Sequence, residues 1–463
     1  MNLQAKHNGL ENIKGSFTKD KVPFYLLILL SFFPIMPFGL MSVAIILFVV
    51  GCIVFNFKNF KYQFDKVGVV PLFFNIGFFL LLLFSLVYSE NLKFGWRQIE
   101  RALPLLFFPI IFLFFPPKLT KKQLYIIGGS FVSANILFIV LLFYYLVQNA
   151  SDYQVLGKEG LILFEGLKEK SFFTQLKDLW NGTFYEVLYY ANRTEESFLE
   201  IHKTYASQAI LWSIVILAFF SLRKRLSPVK KTIQIGLLLI LVIVLIYLYS
   251  MMNLLLLVLL SPVLFYAVLG PIKYRKRVTL GSVILLMGIF FMLTFGQVLS
   301  SNSYEKYKQY ENPLFIFSNI EKMLLKDERR AINQCNLSLF KEHAFIGYGV
   351  GDVQDKLKDC YSNSSDLIIE GPSIQEQNLN SHNYYAFLGL AGGIVAVVLF
   401  ITMIGFNASL AIRKKDLLYL AFILIVAMNL LTENSLGRAH GILFFALFNG
   451  ILLSKNLSAN ANS

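Results

Sequence analysis

Charge is scarce in this sequence. Of its 463 residues only 15% are Asp, Glu, Lys or Arg and 56% are hydrophobic, whereas a soluble domain carries about 25% charged residues. A water-soluble fold is excluded on that ground. Short alternating apolar segments, the mark of a membrane barrel, are lacking as well. The apolar residues instead run in unbroken blocks such as 69–87, 123–147, 233–249 and 281–298, each long enough to cross about 30 Å of hydrocarbon as a helix. The first 21 residues carry four lysines but no cleavable signal pattern, so the first span is expected to act as an uncleaved signal anchor. No repeat relates the two halves of the chain, which argues against a transporter built on internal symmetry.

The apolar blocks predict an all-α polytopic membrane protein of about twelve transmembrane helices, near 22–38, 40–57, 68–88, 102–117, 123–147, 204–222, 233–250, 252–270, 279–298, 384–409, 416–432 and 438–454. The formal charge of +14 could suggest nucleic acid, but its placement decides otherwise. Sorting the connectors by parity puts 23 basic and 4 acidic residues with the two termini, and 19 basic and 24 acidic residues on the opposite side. Short basic connectors mark the cytoplasm. Both termini, 1–21 and 455–463, are therefore expected to be cytoplasmic, and the two long polar segments, 148–203 and 299–383, to lie outside. Anionic lipid headgroups, and no nucleic acid, are the partners this basicity implies.

Two stretches of the outer loops read as amphipathic helices. One is 183–201, with Phe184, Val187, Leu188 and Ala191 at helical spacing, lying on the membrane surface or packed against the bundle; the other is 327–345. The run Gly347-Tyr-Gly349-Val-Gly351-Asp352 follows the second. Alternating glycines can cradle an anion, although no strand precedes this run and the pattern is weak. Cys335 and Cys360 share the second loop and can pair if that compartment is oxidising, whereas Cys52 sits in a span.

Among His7, His202, His343, His382 and His440, only His382 stands where a polar loop enters a new apolar helix, in Asn380-Ser-His382-Asn383-Tyr384-Tyr385. Two readings stand for it: a catalytic imidazole at the outer interface, or part of a helix-capping cluster with Ser381 or Asn383 as the cap. Arg97 and Arg101 are four residues apart and so share a helix face at an outer membrane end. They make a fork for a diphosphate, or they pair with Glu90 or Glu100. Arg329 and Arg330 pose the same alternatives, and Glu433 and Arg438 bracket the last outer turn, where mutual pairing is the simple account. No H-E-x-x-H, no paired C-x-x-C and no outer D-x-D cluster is present, so no metal is expected to be needed.

Taken together these segments resemble the O-antigen ligase and polymerase superfamily of bacterial membrane glycosyltransferases. That family shows an Arg shortly before a Trp, an amphipathic helix ending near Asn-Pro, then Gly-x-Gly, a spacer, and His-Asn-x-Tyr opening a Gly-rich span. Here the counterparts are Arg329 and Arg330, the helix through Lys341-Glu-His-Ala344, Gly347-Tyr-Gly349-Val-Gly351, and His382-Asn383-Tyr384-Tyr385 before Leu390-Ala-Gly-Gly393. Asn333 stands where the Trp is usual and His343-Ala344 where Asn-Pro is usual. Arg101 through Pro109, His202-Lys-Thr-Tyr205, and Leu431-Thr-Glu433 through Phe445 resemble further family segments.

The resemblance implies a glycosyltransferase of the bacterial inner membrane with its active site facing the periplasm. It would move a glycan from undecaprenyl diphosphate to a hydroxyl on lipid A-core or on another glycan or protein acceptor, with no cofactor. A polymerase of the same superfamily is the alternative within the class, and a polysaccharide transporter or flippase the alternative outside it. On this reading His382 is the catalytic base. Arg97, Arg101, Arg329 and Arg330 bind diphosphate, with His202, Tyr205, Asn383, Glu433 and Arg438 in support.

Overall fold

The computed structural model describes residues 21–149, 169–175, 203–221, 227–248, 250–269, 287–288, 327–363 and 379–458. Every regular element among these residues is a helix. The order is α1 (Val22–Ser31), α2 (Phe38–Asn56), α3 (Phe60–Val67), α4 (Val70–Phe84), α5 (Leu92–Ala102), α6 (Pro104–Phe114), α7 (Lys121–Asn149), α8 (Lys203–Ser221), α9 (Pro228–Tyr247) and α10 (Met251–Leu269). Two polar helices, α11 (Asp327–Glu342) and α12 (Val353–Asn363), precede α13 (Tyr384–Arg413), α14 (Leu417–Asn429) and α15 (Ala439–Ser458).

The protein is an integral membrane protein, with six stretches that are helical, long and apolar enough to cross a bilayer: Phe38–Val67, Val70–Tyr88, Lys121–Tyr144, Pro228–Tyr247, Tyr384–Arg413 and Ala439–Leu457. Val22–Ser31, Thr204–Phe220, Met251–Phe265 and Leu417–Asn429 are apolar but shorter. The first of these shows why: Pro34 opens a 3-10 turn, Phe33–Ile35, and Pro37 follows it, so the first apolar block stops as an α-helix at Ser31. The expected ninth span lies outside the described residues apart from 287–288, as does the helix expected at 183–201. The helix expected from Asp327 is α11; the sequence reading did not include α12.

α15 is the hub. Its apolar window is 83% buried, the largest share among the six, and it packs against α6 and α14 while α4 lies along α13 and α8 along α7, α9, α10 and α14. Inside the bundle two polar layers tie helices together. Asn407 of α13 donates to Asn75 of α4 at 3.0 Å, Asn449 of α15 donates to the same Asn75 oxygen at 3.0 Å, and Tyr419 of α14 donates to Asn449 at 2.8 Å. Asn429 of α14 donates to Asn253 of α10 at 2.9 Å, and Asn253 donates to Ser207 of α8 at 3.0 Å. With no water to compete inside a membrane, such side chains join helices by roughly 0.6–1.7 kcal/mol per bond.

α13 is broken near its start. Gly392 (φ −135°, ψ 17°) and Gly393 (φ 65°, ψ −165°) leave helical geometry, which strips carbonyls and an amide of their partners within the helix. The Gly347–Gly351 turn supplies replacements. Tyr348 N–H donates to the Leu390 carbonyl at 2.7 Å, Gly349 N–H to the Ala391 carbonyl at 3.0 Å, and the Ala344 carbonyl accepts from Ile394 N–H at 2.8 Å. On its other side the turn enters the connector between α4 and α5: Val350 N–H donates to Ser85 at 3.0 Å and Gly351 N–H to Ser89 at 3.1 Å. The buried Asp352 carboxylate accepts from Glu90 N–H and Asn91 N–H, both at 2.8 Å. Asn91 then caps α5 by accepting from Phe94 N–H at 3.1 Å.

Gly393 admits no side chain. Its φ is +65°, and a Cβ there would lie 2.0 Å from the Phe345 carbonyl oxygen. Gly393→Ala is expected to destabilise by at least about 2 kcal/mol, seen as a lowered unfolding midpoint and loss of the monodisperse peak in detergent. Gly405→Ala, in the same helix with nothing within 4 Å of its Cβ position, is expected to leave both unchanged.

Candidate active site

Asn383 is the N-cap of α13: its side-chain oxygen accepts from Ala386 N–H at 3.1 Å. Of the two caps that the sequence allowed, it is therefore Asn383. Ser381 instead donates to the Asn383 carbonyl at 3.0 Å. His382 lies between them in the left-handed region at φ 45°, a conformation that costs free energy in a residue other than glycine unless neighbours hold it. They do. Asn380 accepts from His382 N–H at 2.8 Å, Asn336 of α11 donates to the Ser381 carbonyl at 3.0 Å, and Gln354 of α12 donates to the Leu379 carbonyl at 2.9 Å.

The two loop helices that grip this segment are joined covalently, since Cys335 of α11 and Cys360 of α12 form a disulfide with a Cα separation of 5.9 Å. Tyr348 adds a second tie by donating to Glu342 at the end of α11 at 2.8 Å. Burial, with the Glu342 carboxylate beside it, pushes the Tyr348 hydroxyl above the usual tyrosine range, so it keeps the proton that it donates.

The imidazole faces the turn between α14 and α15. His382 Nδ1 lies 3.5 Å from Glu433 Oε2, longer than a good hydrogen bond, and Arg329 of α11 reaches Glu433 Oε1 at 3.3 Å and the Thr432 carbonyl at 3.3 Å. One carboxylate thus lies between an imidazole and a guanidinium. The Glu433 side chain is only 10% exposed, against 27% for His382 and 41% for Arg329. The anion is held inside while both of its partners keep a face toward solvent. Arg438, at the far end of the same turn, is hydrogen-bonded to the side chain of Tyr205 at the start of α8, and the Glu433 charge acts on that hydroxyl too.

His382, Arg329, Glu433, Arg438 and Tyr205, expected to act together on the strength of the resemblance, therefore meet at one end of the bundle. Arg97 and Arg101 are on the exposed face of α5, while Gly95, Ile99 and Ala102 form its buried face. That helix packs its buried face against the 3-10 turn Ser435–Gly437 and against α15, and the arginine pair is on the opposite, exposed side of the helix. His202 and the side chain of Arg330 lie outside the described residues.

One expectation needs correction. The Gly347–Gly351 run is not an anion cradle: the N–H groups of Gly347, Tyr348, Gly349, Val350 and Gly351 all donate within the protein, to His343, Leu390, Ala391, Ser85 and Ser89 in turn. A phosphate there would find no free donor. The simple pairing of Glu433 with Arg438 also left out Arg329, 104 residues away in the chain. Asn336 and Gln354, which hold the His382 segment, carried no signal in the sequence beyond being polar on amphipathic helices.

Residues 235–401 match the family described as O-antigen ligase. The match supports the O-antigen ligase superfamily for this chain, and with it ligase- or polymerase-family glycosyltransferase function. No curated protein matches the chain. The matched stretch contains Arg329, His382 and Asn383 but neither Glu433 nor the arginines of α5, so the ionic centre joins residues inside and outside it.

Removing the shared carboxylate with Glu433→Ala is expected to lower stability by about 2 kcal/mol, because it strips a charge-assisted bond from a nearly buried site. Arg329→Ala and the double variant complete a cycle whose coupling is expected at about 0.5–1 kcal/mol for a pair with one partly exposed partner. Denaturant unfolding of the purified variants reads the coupling. Strict additivity would mean that the 3.3 Å contact carries no energy.

Proposed function

We propose that the protein is an O-antigen ligase-like glycosyltransferase of the bacterial inner membrane. It moves a glycan from undecaprenyl diphosphate to an acceptor hydroxyl on the periplasmic face, the acceptor being lipid A-core or another glycan or protein. The observation that carries this reading is the Glu433 carboxylate placed between His382 and Arg329. Two further features support it. The Cys335–Cys360 disulfide suits an oxidising compartment on the side of the site. Lysines in and beside the described connectors, Lys66, Lys118, Lys121, Lys414 and Lys415, gather at the opposite end of the bundle, and short basic connectors mark the cytoplasmic side.

In the proposed reaction the acceptor oxygen attacks the anomeric carbon of the glycan's first sugar as the bond from that carbon to the diphosphate oxygen breaks. The bonding electron pair leaves with the diphosphate. Arg329 on one side and Arg97 and Arg101 on the other offer cations to it, and a leaving group that is already a stabilised anion needs no metal to depart. The acceptor's proton passes to His382. With Nδ1 turned to Glu433, Nε2 is the nitrogen left for the acceptor, and the carboxylate stabilises the imidazolium formed by the transfer. Asn383 fixes the helix start that carries the imidazole. Glu433 and Arg438 order the facing turn, with Tyr205 and His202 in support. A single displacement of this kind inverts the anomeric configuration. A polymerase would use the same groups and differ only in taking a growing glycan as acceptor.

His382→Ala, at unchanged protein level and membrane insertion, is expected to abolish glycan transfer. Surface glycan profiles and the undecaprenyl-linked pool read the result together. Long undecaprenyl-linked chains accumulating without reaching their acceptor would support the ligase, whereas single repeat units accumulating would identify a polymerase. An unchanged profile would reduce His382 to a helix-capping neighbour and remove the assignment.

A further inference from the structure

A large cavity lies away from this site. It measures about 990 Å³ and opens among the last turns of α8 and α15, the first turns of α7, and the connector between α13 and α14. α13 and α15 begin at the His382 and Glu433 end, and the cavity is lined by α15 only from its midpoint onward and by the residues that follow the last turn of α13. The cavity is thus at the other membrane end.

Its lining is divided by chemistry. Phe112, Trp212, Ile216, Phe448 and Ile451 form an apolar wall, and six lysines, Lys66, Lys118, Lys121, Lys414, Lys415 and Lys455, stand with a single carboxylate, Asp416. That carboxylate is already engaged by Lys455 and by Asn456 at 2.9 Å. Lys66, Lys118, Lys121 and Lys415 are exposed. An apolar chamber next to a surplus of about five positive charges matches a ligand with one anionic end and one hydrocarbon end. A free phosphate would use the lysines and leave the Phe and Trp wall wet, and a neutral lipid would use the wall and leave the exposed Lys66, Lys118 and Lys121 facing no anion in the lining beyond Asp416.

We propose that this cavity binds an acidic phospholipid of the leaflet at that end, its phosphate held by Lys118, Lys121 and Lys66 and its acyl chains against the Trp212 and Phe448 wall. The occupant is a structural or regulatory lipid and no part of the transfer chemistry, so this inference stands independently of the function proposed above. The lipid joins the start of α7 to the ends of α8 and α15, a seam where apolar contact alone leaves several like charges facing one another.

The full-length protein, purified in mild detergent, is offered phosphatidylglycerol or phosphatidylcholine with the same acyl chains, and retained lipid is counted by native mass spectrometry. Phosphatidylglycerol is expected to be retained at least tenfold more. Lys118→Ala and Lys121→Ala are each expected to weaken that retention about fivefold, in line with the share of one lysine near an anionic surface, and Lys118→Glu with Lys121→Glu to abolish the preference. These are exposed side chains, so the folded protein should survive the changes, and its elution profile checks that. Equal retention of the two lipids, an unaltered preference in the charge-reversed variant, or displacement of phosphatidylglycerol by millimolar inorganic phosphate would each overturn the proposal.

Discussion

A transmembrane helix that breaks inside the bundle must find new partners for the backbone groups that it frees, because hydrocarbon offers none. At Gly392 and Gly393 those partners come from one polar turn, and the exchange of three backbone hydrogen bonds between Ala344–Gly349 and Leu390–Ile394 fixes the polar segment that carries α11 and α12 on the membrane domain. The glycines are needed for proximity as much as for conformation. A Cβ at Gly347 would lie 2.5 Å from the Leu390 carbonyl, and one at Gly351 would lie 2.4 Å from the Asn91 carbonyl. Once the turn is seated, α11 and α12 have little freedom left, and through Asn336 and Gln354 neither does His382. Asp352 extends the same constraint to the start of the arginine-bearing helix.

This explains what the sequence could and could not disclose. Apolar blocks are local and repeat along the chain, so most of the apolar helices among the described residues, and the helix from Asp327, were legible. The capping role of Asn383 was legible because Asn before an apolar run is a local signal. What the glycine run does instead of holding an anion was not legible, because the acceptors of its donors belong to Ser85, Ser89, Leu390 and Ala391. The Arg329 partner of Glu433 failed to show for the same reason. Charge complementarity over a hundred residues leaves no spacing to read. The pairing of Cys335 with Cys360 was open in the sequence because it depends on α12, an element the reading did not contain.

The polar groups of the protein are sorted by depth, and the sorting gives each layer a different task. Amide and hydroxyl networks lie within the bundle, where Asn75, Asn407, Asn449 and Tyr419 join four helices without charge. Neutral groups suit this position, since an unpaired charge there would be far more costly than an unpaired amide. Among the described residues the charges are confined to the two ends. One end places a carboxylate between a guanidinium and an imidazole, and the other gathers lysines around a single carboxylate. The first arrangement is close to balanced and geometrically held. The second is strongly unbalanced, as expected of a surface turned toward anions.

The balance at the first end bears directly on the proposed chemistry. Transfer to a hydroxyl has to begin with a neutral imidazole and end with a protonated one, so the environment must favour the cation without creating it beforehand. Glu433 stands where it could serve such a cation, with Arg329 on one of its oxygens and His382 Nδ1 3.5 Å from the other. A diphosphate arriving at Arg329 competes with Glu433 for the same guanidinium. As that competition loosens the Arg329 contact, more of the carboxylate's charge is left to face His382. In the proposed reaction the leaving diphosphate and Glu433 would therefore share one guanidinium, so the group that meets the leaving group is also the one that holds the carboxylate facing His382.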